Sequence, residues 1–213
     1  MGNEIRKGVI MKTEQEKFWQ GEFGKDYIQR NMSDQLLSAN TYFFSQVLSR
    51  THGVKDILEL GCNIGMNLRA LNNINSSLNL TGIDINQTAI DEVNHWGKAK
   101  GICGSILDAQ FDQQYQLTFT KGVLIHINPE QLTKVYDTLY QASQRYILVA
   151  EYYNPTPVSI EYHGEQDKLF KRDFAGDMLA RFTELKLIDY GFLYRHDPNF
   201  PQDDISWFLM EKA

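Results

Sequence analysis

The sequence predicts a doubly wound α/β fold on a seven-stranded, mostly parallel sheet, with helices at the N-terminal end and an antiparallel strand pair at the C-terminal end. Three observations carry this. From Ile57 onward, short apolar strands alternate with amphipathic helices, as in βαβ units, where parallel strands need crossover connections. The first strand runs into two glycines four residues apart, Gly61 and Gly65, as a tight strand-to-helix turn does. The last two strand-like segments are joined by a stretch too short for a helical crossover, so they should pair antiparallel.

In chain order, Trp19, Phe23 and Tyr27 recur every four residues, as on one face of a helix over 14–30 that Gly21 and Gly24 weaken or break. They form either a lid or a face docked on the core. A stronger helix is predicted over 34–50, with Asp34 as N-cap, Leu36, Leu37, Phe43, Phe44, Val47 and Leu48 on one stripe, and His52-Gly53 ending it. Strand 57–60, helix 67–74, strand 79–83, helix 87–96 and a short strand near 101–103 follow. Strand 116–120 leads through Lys121 to His126 into Asn128-Pro129, an N-cap and a proline at the first position of a helix. Strand 146–151 comes next. The stretch 152–166 is rich in Pro, Tyr, Gly and charge and reads as a long ordered loop, a common place for lids and binding sites. A helix over 174–182 and strands 185–194 and 204–211 complete the chain.

At 213 residues, one domain is expected, with 1–52 as a helical cap and 53–213 as the α/β core. The apolar share of 42% and charged share of 23% are those of a soluble globular protein. A net charge of −6 offers no general field for a phosphate backbone, which argues against a nucleic-acid partner. Lys168, Lys171 and Arg172 are the only suggestive basic cluster. Cys62 and Cys103 lack metal-like spacing, and Met1 to Thr13 lacks an apolar core, so a reducing cytoplasm and no membrane attachment are expected. His163, His196 and Asp203-Asp204 show no metal spacing, and no metal is expected.

The chemistry concentrates at the carboxyl ends of the strands, where open α/β sheets bind ligands. The first constellation is Glu59, Gly61, Cys62, Asn63 and Gly65, where glycines let a ligand approach the backbone and Glu59 anchors the loop or meets an ammonium. A dinucleotide fingerprint would need glycines at positions held here by Asn63 and Met66, so a cofactor without pyrophosphate fits better. Asp84 lies 23 residues after Gly61, at the end of the second strand, where a carboxylate can take both hydroxyls of a ribose. Asn86 is better placed than Asp84 to cap the next helix.

With these motifs in place, the chain resembles class I S-adenosylmethionine-dependent methyltransferases over residues 56–213. Longer pieces resemble a narrower group, the pseudaminic acid biosynthesis-associated methylases: Phe18 to Gly24 with Tyr27 and Arg30, Asn63 to Arg69, and 195–207 including Asp197 to Pro201. The resemblance implies that S-adenosylmethionine is the cofactor, with Gly61 to Gly65 under its methionine and ribose, Asp84 on the ribose and Ile85 over the adenine. Ser105 and Ile106 would reach the adenine edge, the backbone near Lys121 the amino-acid end, and Tyr27 and Arg30 the carboxylate. Two departures stand out: the middle loop glycine is Asn63, and the acid many relatives place against the adenine amino group is Ser105, for which Asp108 is a substitute. The acceptor expected is a small polar molecule of a sugar or nonulosonate pathway.

A sugar hydroxyl keeps its proton at neutral pH, so transfer to it needs a base, and His126 after the fourth strand is the candidate. Its alternative is packing of the turn. Glu151, Tyr152 and Tyr153 leave the fifth strand and are placed to orient the acceptor, and Lys171 and Arg172 to hold an acidic one. Two other readings remain open: an RNA or protein methyltransferase, and a protein that binds S-adenosylmethionine without transferring its methyl group.

Overall fold

The computed structural model describes residues 13–21, 33–162 and 165–213. Helix α1 (Glu14–Gln20) opens with a capping box in which the Thr13 hydroxyl accepts the Glu16 amide and the Glu16 carboxylate accepts the Thr13 amide. It ends at Gly21, and Phe23, Tyr27 and Arg30 lie outside the described residues. Helix α2 (Asp34–Ser49) is capped by Ser33 rather than Asp34. Ser33 is extended, with φ −146°, and its hydroxyl accepts the Leu36 amide at 3.1 Å. Asp34 is the first helical residue, where its charge suits the positive end of the helix dipole.

The alternating core follows: β1 (Asp56–Leu60), α3 (Met66–Ile74), β2 (Asn79–Asp84), α4 (Gln87–Trp96), β3 (Lys100–Cys103) and β4 (Tyr115–Lys121). The Asn128-Pro129 signal opens a separate 3-10 turn, Pro129–Gln131, with the Glu130 amide bonded to the Asn128 side chain. Helix α5 (Leu132–Ala142) begins after it, and β5 (Ser143–Glu151) follows. Helix α6 (Phe174–Arg181) then precedes β8 (Leu185–Leu193) and β9 (Ile205–Lys212).

The expectation of a loop over 152–166 is corrected. Between β5 and α6 the backbone forms an antiparallel hairpin, β6 (Val158–Tyr162) with β7 (Glu165–Lys171), outside the main sheet. Val158, Ile160 and Tyr162 alternate with Ser159 and Glu161, a strand pattern masked by the neighbouring Pro155 and Pro157.

The main sheet has seven strands in the order β3-β2-β1-β4-β5-β9-β8, the first five parallel and β9 antiparallel to both neighbours, as expected. The chain winds outward from β1 to β3, then crosses back to lay β4 on the other side of β1. The reversal leaves a crevice beyond the carboxyl ends of β1 and β4. Side-chain alternation divides the core between the sheet's two faces. Ile57, Leu117, Phe119 and Leu148 pack with α2, α3 and α4, while Leu58, Leu60, Ile147 and Val149 pack with α5 and α6.

Candidate active site

The turn after β1 is tied to β2 by its backbone: the Gly61 and Cys62 amides both donate to the Ile83 carbonyl, at 2.8 and 3.1 Å. Gly61 has φ 77°, and a Cβ there would stand 2.5 Å from the Val123 side chain. The left-handed backbone alone costs an ordinary residue about 1–2 kcal/mol. Glycine is thus required by the turn and by Val123, a neighbour within the chain. Gly82 in β2 is the counterpart across the sheet, since a Cβ would meet Cys62 Sγ at 2.6 Å. Asn63 takes the place of the missing glycine by adopting φ 47°, a left-handed conformation that asparagine tolerates.

The Asp84 carboxylate fixes the same loop. Its Oδ2 accepts the Asn63 amide at 2.8 Å and its Oδ1 the Asn86 amide at 2.9 Å, while Asn86 caps α4 with its own side chain. Burial raises the Asp84 pKa, against the opposing effect of these amide bonds.

Around these groups opens a cavity of about 460 Å³, within the size range of small-molecule sites. One end is lined by Asp84, Ile85, Ser105, Ile106 and Leu107, with Glu16 of α1 above it. Gly61, Cys62, Asn63, Asn67 and Lys121 line the middle. The far end is walled by Trp19, Leu36, Asn40, His126, Tyr152, Leu169, Gln202 and Asp203. Helix α1 bridges the length: Ser105 donates a short hydrogen bond to Glu16, the Asn86 amide group donates to the Trp19 carbonyl at 3.4 Å, and the Trp19 and His126 rings lie 4.6 Å apart.

Beneath the cavity sits a buried charge cluster. Glu59 accepts from Asn67 Nδ2 at 2.6 Å, its second oxygen has no hydrogen-bond partner, and burial pushes its pKa to about 8. Glu151 accepts the Val123 and Leu124 amides at 2.9 and 3.0 Å, so it holds the loop after β4, and burial raises its pKa to about 7. Burial also lowers the Lys121 pKa, opposed by Glu59, Asp203 and Glu151.

Residues 57–145 match the family described as a methyltransferase domain. The match runs from β1 to the start of β5. No curated protein sequence matches it. Solved structures with the same fold include magnesium protoporphyrin IX methyltransferase ChlM from Synechocystis PCC 6803 with bound SAH, 12% identical, covering 93% of this chain and 97% of that one at a TM-score of 0.68. The plantazolicin methyltransferase BpumL in complex with SAH is 16% identical, with 93% and 94% covered and a TM-score of 0.64. An S-adenosylmethionine-dependent methyltransferase from Clostridium acetobutylicum ATCC 824 is 10% identical, with 90% and 98% covered and a TM-score of 0.62. The seven-stranded sheet is therefore the class I methyltransferase fold.

Eight of the expected cofactor residues line the cavity: Gly61, Cys62, Asn63, Asp84, Ile85, Ser105, Ile106 and Lys121. Gly65 caps α3 just behind it and Glu59 lies below it. Tyr27 and Arg30 lie outside the described residues. His126 and Tyr152 line the far end. Glu151 is turned under the loop, Tyr153 is exposed on the flank of Phe208, and Lys171 sits over the Tyr152 ring at 5.1 Å. Arg172 pairs with Asp177 at 2.7 Å, and Asp108 is exposed while Glu16 meets Ser105 instead. Sequence reasoning missed Glu16, Asn40, Leu169 and Gln202, and gave Asp203 no role at this site. One signal was available: β9 runs antiparallel to β5, so residues just before Ile205 fall at the ligand edge where β5 ends. Among the described residues, no helix is long and apolar enough to cross a membrane, and no group of His, Cys, Asp and Glu is arranged to hold a metal ion.

Proposed function

We propose that this enzyme transfers a methyl group from S-adenosylmethionine to a hydroxyl of a small polar acceptor, most readily a sugar or nonulosonate pathway intermediate. One observation carries the cofactor part. Asp84 is held by two backbone amides at the floor of a cavity on the sheet's switch point, between the loop after β1 and the apolar side chains of Ile85 and Ile106. The residues fit the group: Asp84 offers acceptors to two ribose hydroxyls, Ile85 and Ile106 flank the adenine, and the Gly61–Asn63 backbone lies along the ribose and methionine. When bound, S-adenosylmethionine supplies an electrophilic methyl on a sulfonium, so the chain's main task is to align an acceptor and remove its proton.

That task falls to the far end of the cavity. His126 takes the hydroxyl proton as general base, with its ring orientation set by the neighbouring Trp19 ring. Tyr152, Leu169 and Trp19 provide apolar walls, and Asp203, Gln202 and Asn40 provide the polar ones. Lys171 and Arg172 are engaged by Tyr152 and Asp177, and neither lines the cavity. The acceptor therefore presents a neutral, hydroxyl-bearing portion to the methyl, with any acidic group held away from Asp203. The net charge of −6 supports a small molecule over RNA.

The test is transfer of labelled methyl from S-adenosylmethionine across a panel of neutral and nonulosonate sugars, free and nucleotide-linked. Label on a hydroxyl, lost in His126→Ala, is expected. Tight binding of S-adenosylhomocysteine without transfer to any member would instead support a non-catalytic binding protein.

A further inference from the structure

We propose that Glu16, delivered by α1 rather than by the sheet, reads the 6-amino edge of the adenine and makes this protein selective for adenine over 6-oxo purines. The inference rests on the cofactor site proposed above. At the base end of the cavity the walls contributed by Ile85, Ile106 and Leu107 are apolar and can grip a purine without telling one from another. With Asp84 assigned to the ribose, the polar groups of that lining joined to each other beside the apolar walls are the Ser105 hydroxyl and the Glu16 carboxylate.

The hydrogen-bond inventory separates these two. Ser105 Oγ donates its proton to Glu16 Oε1 and accepts the Leu107 amide at 3.1 Å, so its donor is spent. A carboxylate has about four acceptor sites. Two on Glu16 Oε2 are taken by the Thr13 amide at 2.8 Å and the Thr13 hydroxyl at 3.1 Å, and one on Oε1 by Ser105. The remaining site on Oε1 is an acceptor beside the slot. An adenine presents an N–H donor at its 6-position, whereas a 6-oxo purine presents a lone pair there. The first completes the carboxylate's set; the second is repelled by it.

The position of α1 fits this role. No residue of the helix is buried, and three of its ties reach cavity residues: Glu16 to Ser105, the Trp19 carbonyl to Asn86, and the Trp19 ring to His126. A bond from the base to Glu16 adds one more tie at the end of the helix nearest the cofactor, so recognition of adenine and seating of α1 become one event.

Calorimetric titration of the full chain with S-adenosylhomocysteine and with its 6-oxo counterpart, S-inosylhomocysteine, tests the assignment. The wild type should prefer the adenine compound at least ~10-fold, the equivalent of one hydrogen bond to a charged group. Glu16→Gln keeps a side chain that serves a capping box equally well. With the amide oxygen on the Thr13 amide, the amide nitrogen turns a donor to the base, so the preference for the adenine compound should fall to within about threefold or invert. A preference unchanged in Glu16→Gln, or equal loss for both compounds, would overturn the proposal and leave Glu16 as a helix cap. A wild type that binds neither compound would overturn the cofactor reading itself, which distinguishes the two failures.

Discussion

The two ends of the cavity are built in different ways. At the cofactor end, the groups come from short segments directly after β1, β2 and β3, and backbone hydrogen bonds fix them: Gly61 and Cys62 to Ile83, Asn63 and Asn86 to Asp84, Gly104 to Asp84. At the far end, proposed to take the acceptor, Trp19, Asn40, His126, Tyr152, Leu169 and Gln202 come from segments scattered along the chain and meet mainly as side chains. A backbone-built end tolerates few substitutions, because its shape is the turn itself. A side-chain-built end can be re-lined without disturbing the sheet, and substrate choice resides where such change is cheap.

The sharpest separation of the two ends is a mutation that destroys turnover while sparing cofactor affinity. Removing a general base usually costs 10²–10⁴-fold in rate. His126→Ala should lower turnover by at least ~100-fold while S-adenosylhomocysteine affinity stays within about threefold by calorimetry. Turnover that survives would leave His126 as packing for Trp19. Asp84→Ala should show the reverse pattern. It removes the acceptor proposed for two ribose hydroxyls and frees the Asn63 and Asn86 amides, and hydrogen bonds to charged groups are worth about 1.5–3 kcal/mol each. Affinity should fall by ~30-fold or more, with turnover partly restored at saturating cofactor; unchanged affinity would sink the ribose assignment.

The same contrast explains what could be read from the sequence. The cofactor end was legible because its constraints are local: positive φ at Gly61, close approach at Gly82 and an acid ending β2 each leave a residue-type signature. Asn63 was recognised as a departure, and its left-handed backbone shows how the turn absorbs it. The far end depends on which distant segments pack together: the antiparallel run of β9 beside β5 hints at the residues before Ile205, and no residue of β7 carries a comparable signal. Leu169 lies just beyond the stretch 152–166 that reads as a loop, and it was missed because Pro155 and Pro157 obscured the hairpin whose first strand begins at Val158. Ser33 displaced Asp34 as a cap by one position, a choice decided by backbone geometry between two good capping residues. Glu16 was missed because its partner Ser105 lies 89 residues away.

A smaller effect tests whether the cofactor end rests on the buried acid below it. The Glu59 pKa stands near 8 in the folded protein against an ordinary 4.5, mainly through burial. The folded state then holds a proton that the unfolded chain has released, so this contribution to stability is full below about 4.5 and is lost as pH rises through about 8. Lys121, with a lowered pKa, acts in the opposite direction, so the comparison has to be made against Glu59→Gln and not read from the wild type alone. Thermal melts at about pH 5 and about pH 8.5 should show the variant gaining on the wild type at the higher pH. A constant difference between the two would place the Glu59 proton elsewhere.

The smallest expected effect bears on the acceptor end. Arg172 was the leading candidate for holding an acidic acceptor, but its guanidinium lies 2.7 Å from Asp177, which also accepts from the Tyr136 hydroxyl at 3.0 Å. Both partners of the ion pair are partly exposed, and such pairs contribute about 0–1 kcal/mol. Arg172→Ala should therefore cost less than ~1 kcal/mol of stability in denaturant titration and leave the acceptor Michaelis constant within about twofold. A tenfold rise in that constant at unchanged stability would mean that Arg172 leaves Asp177 to reach an anionic acceptor. The segment just after the hairpin would then be a second, charge-reading wall, and the acceptor end would owe its selectivity to the end of β7 and Arg172 as much as to the residues before β9.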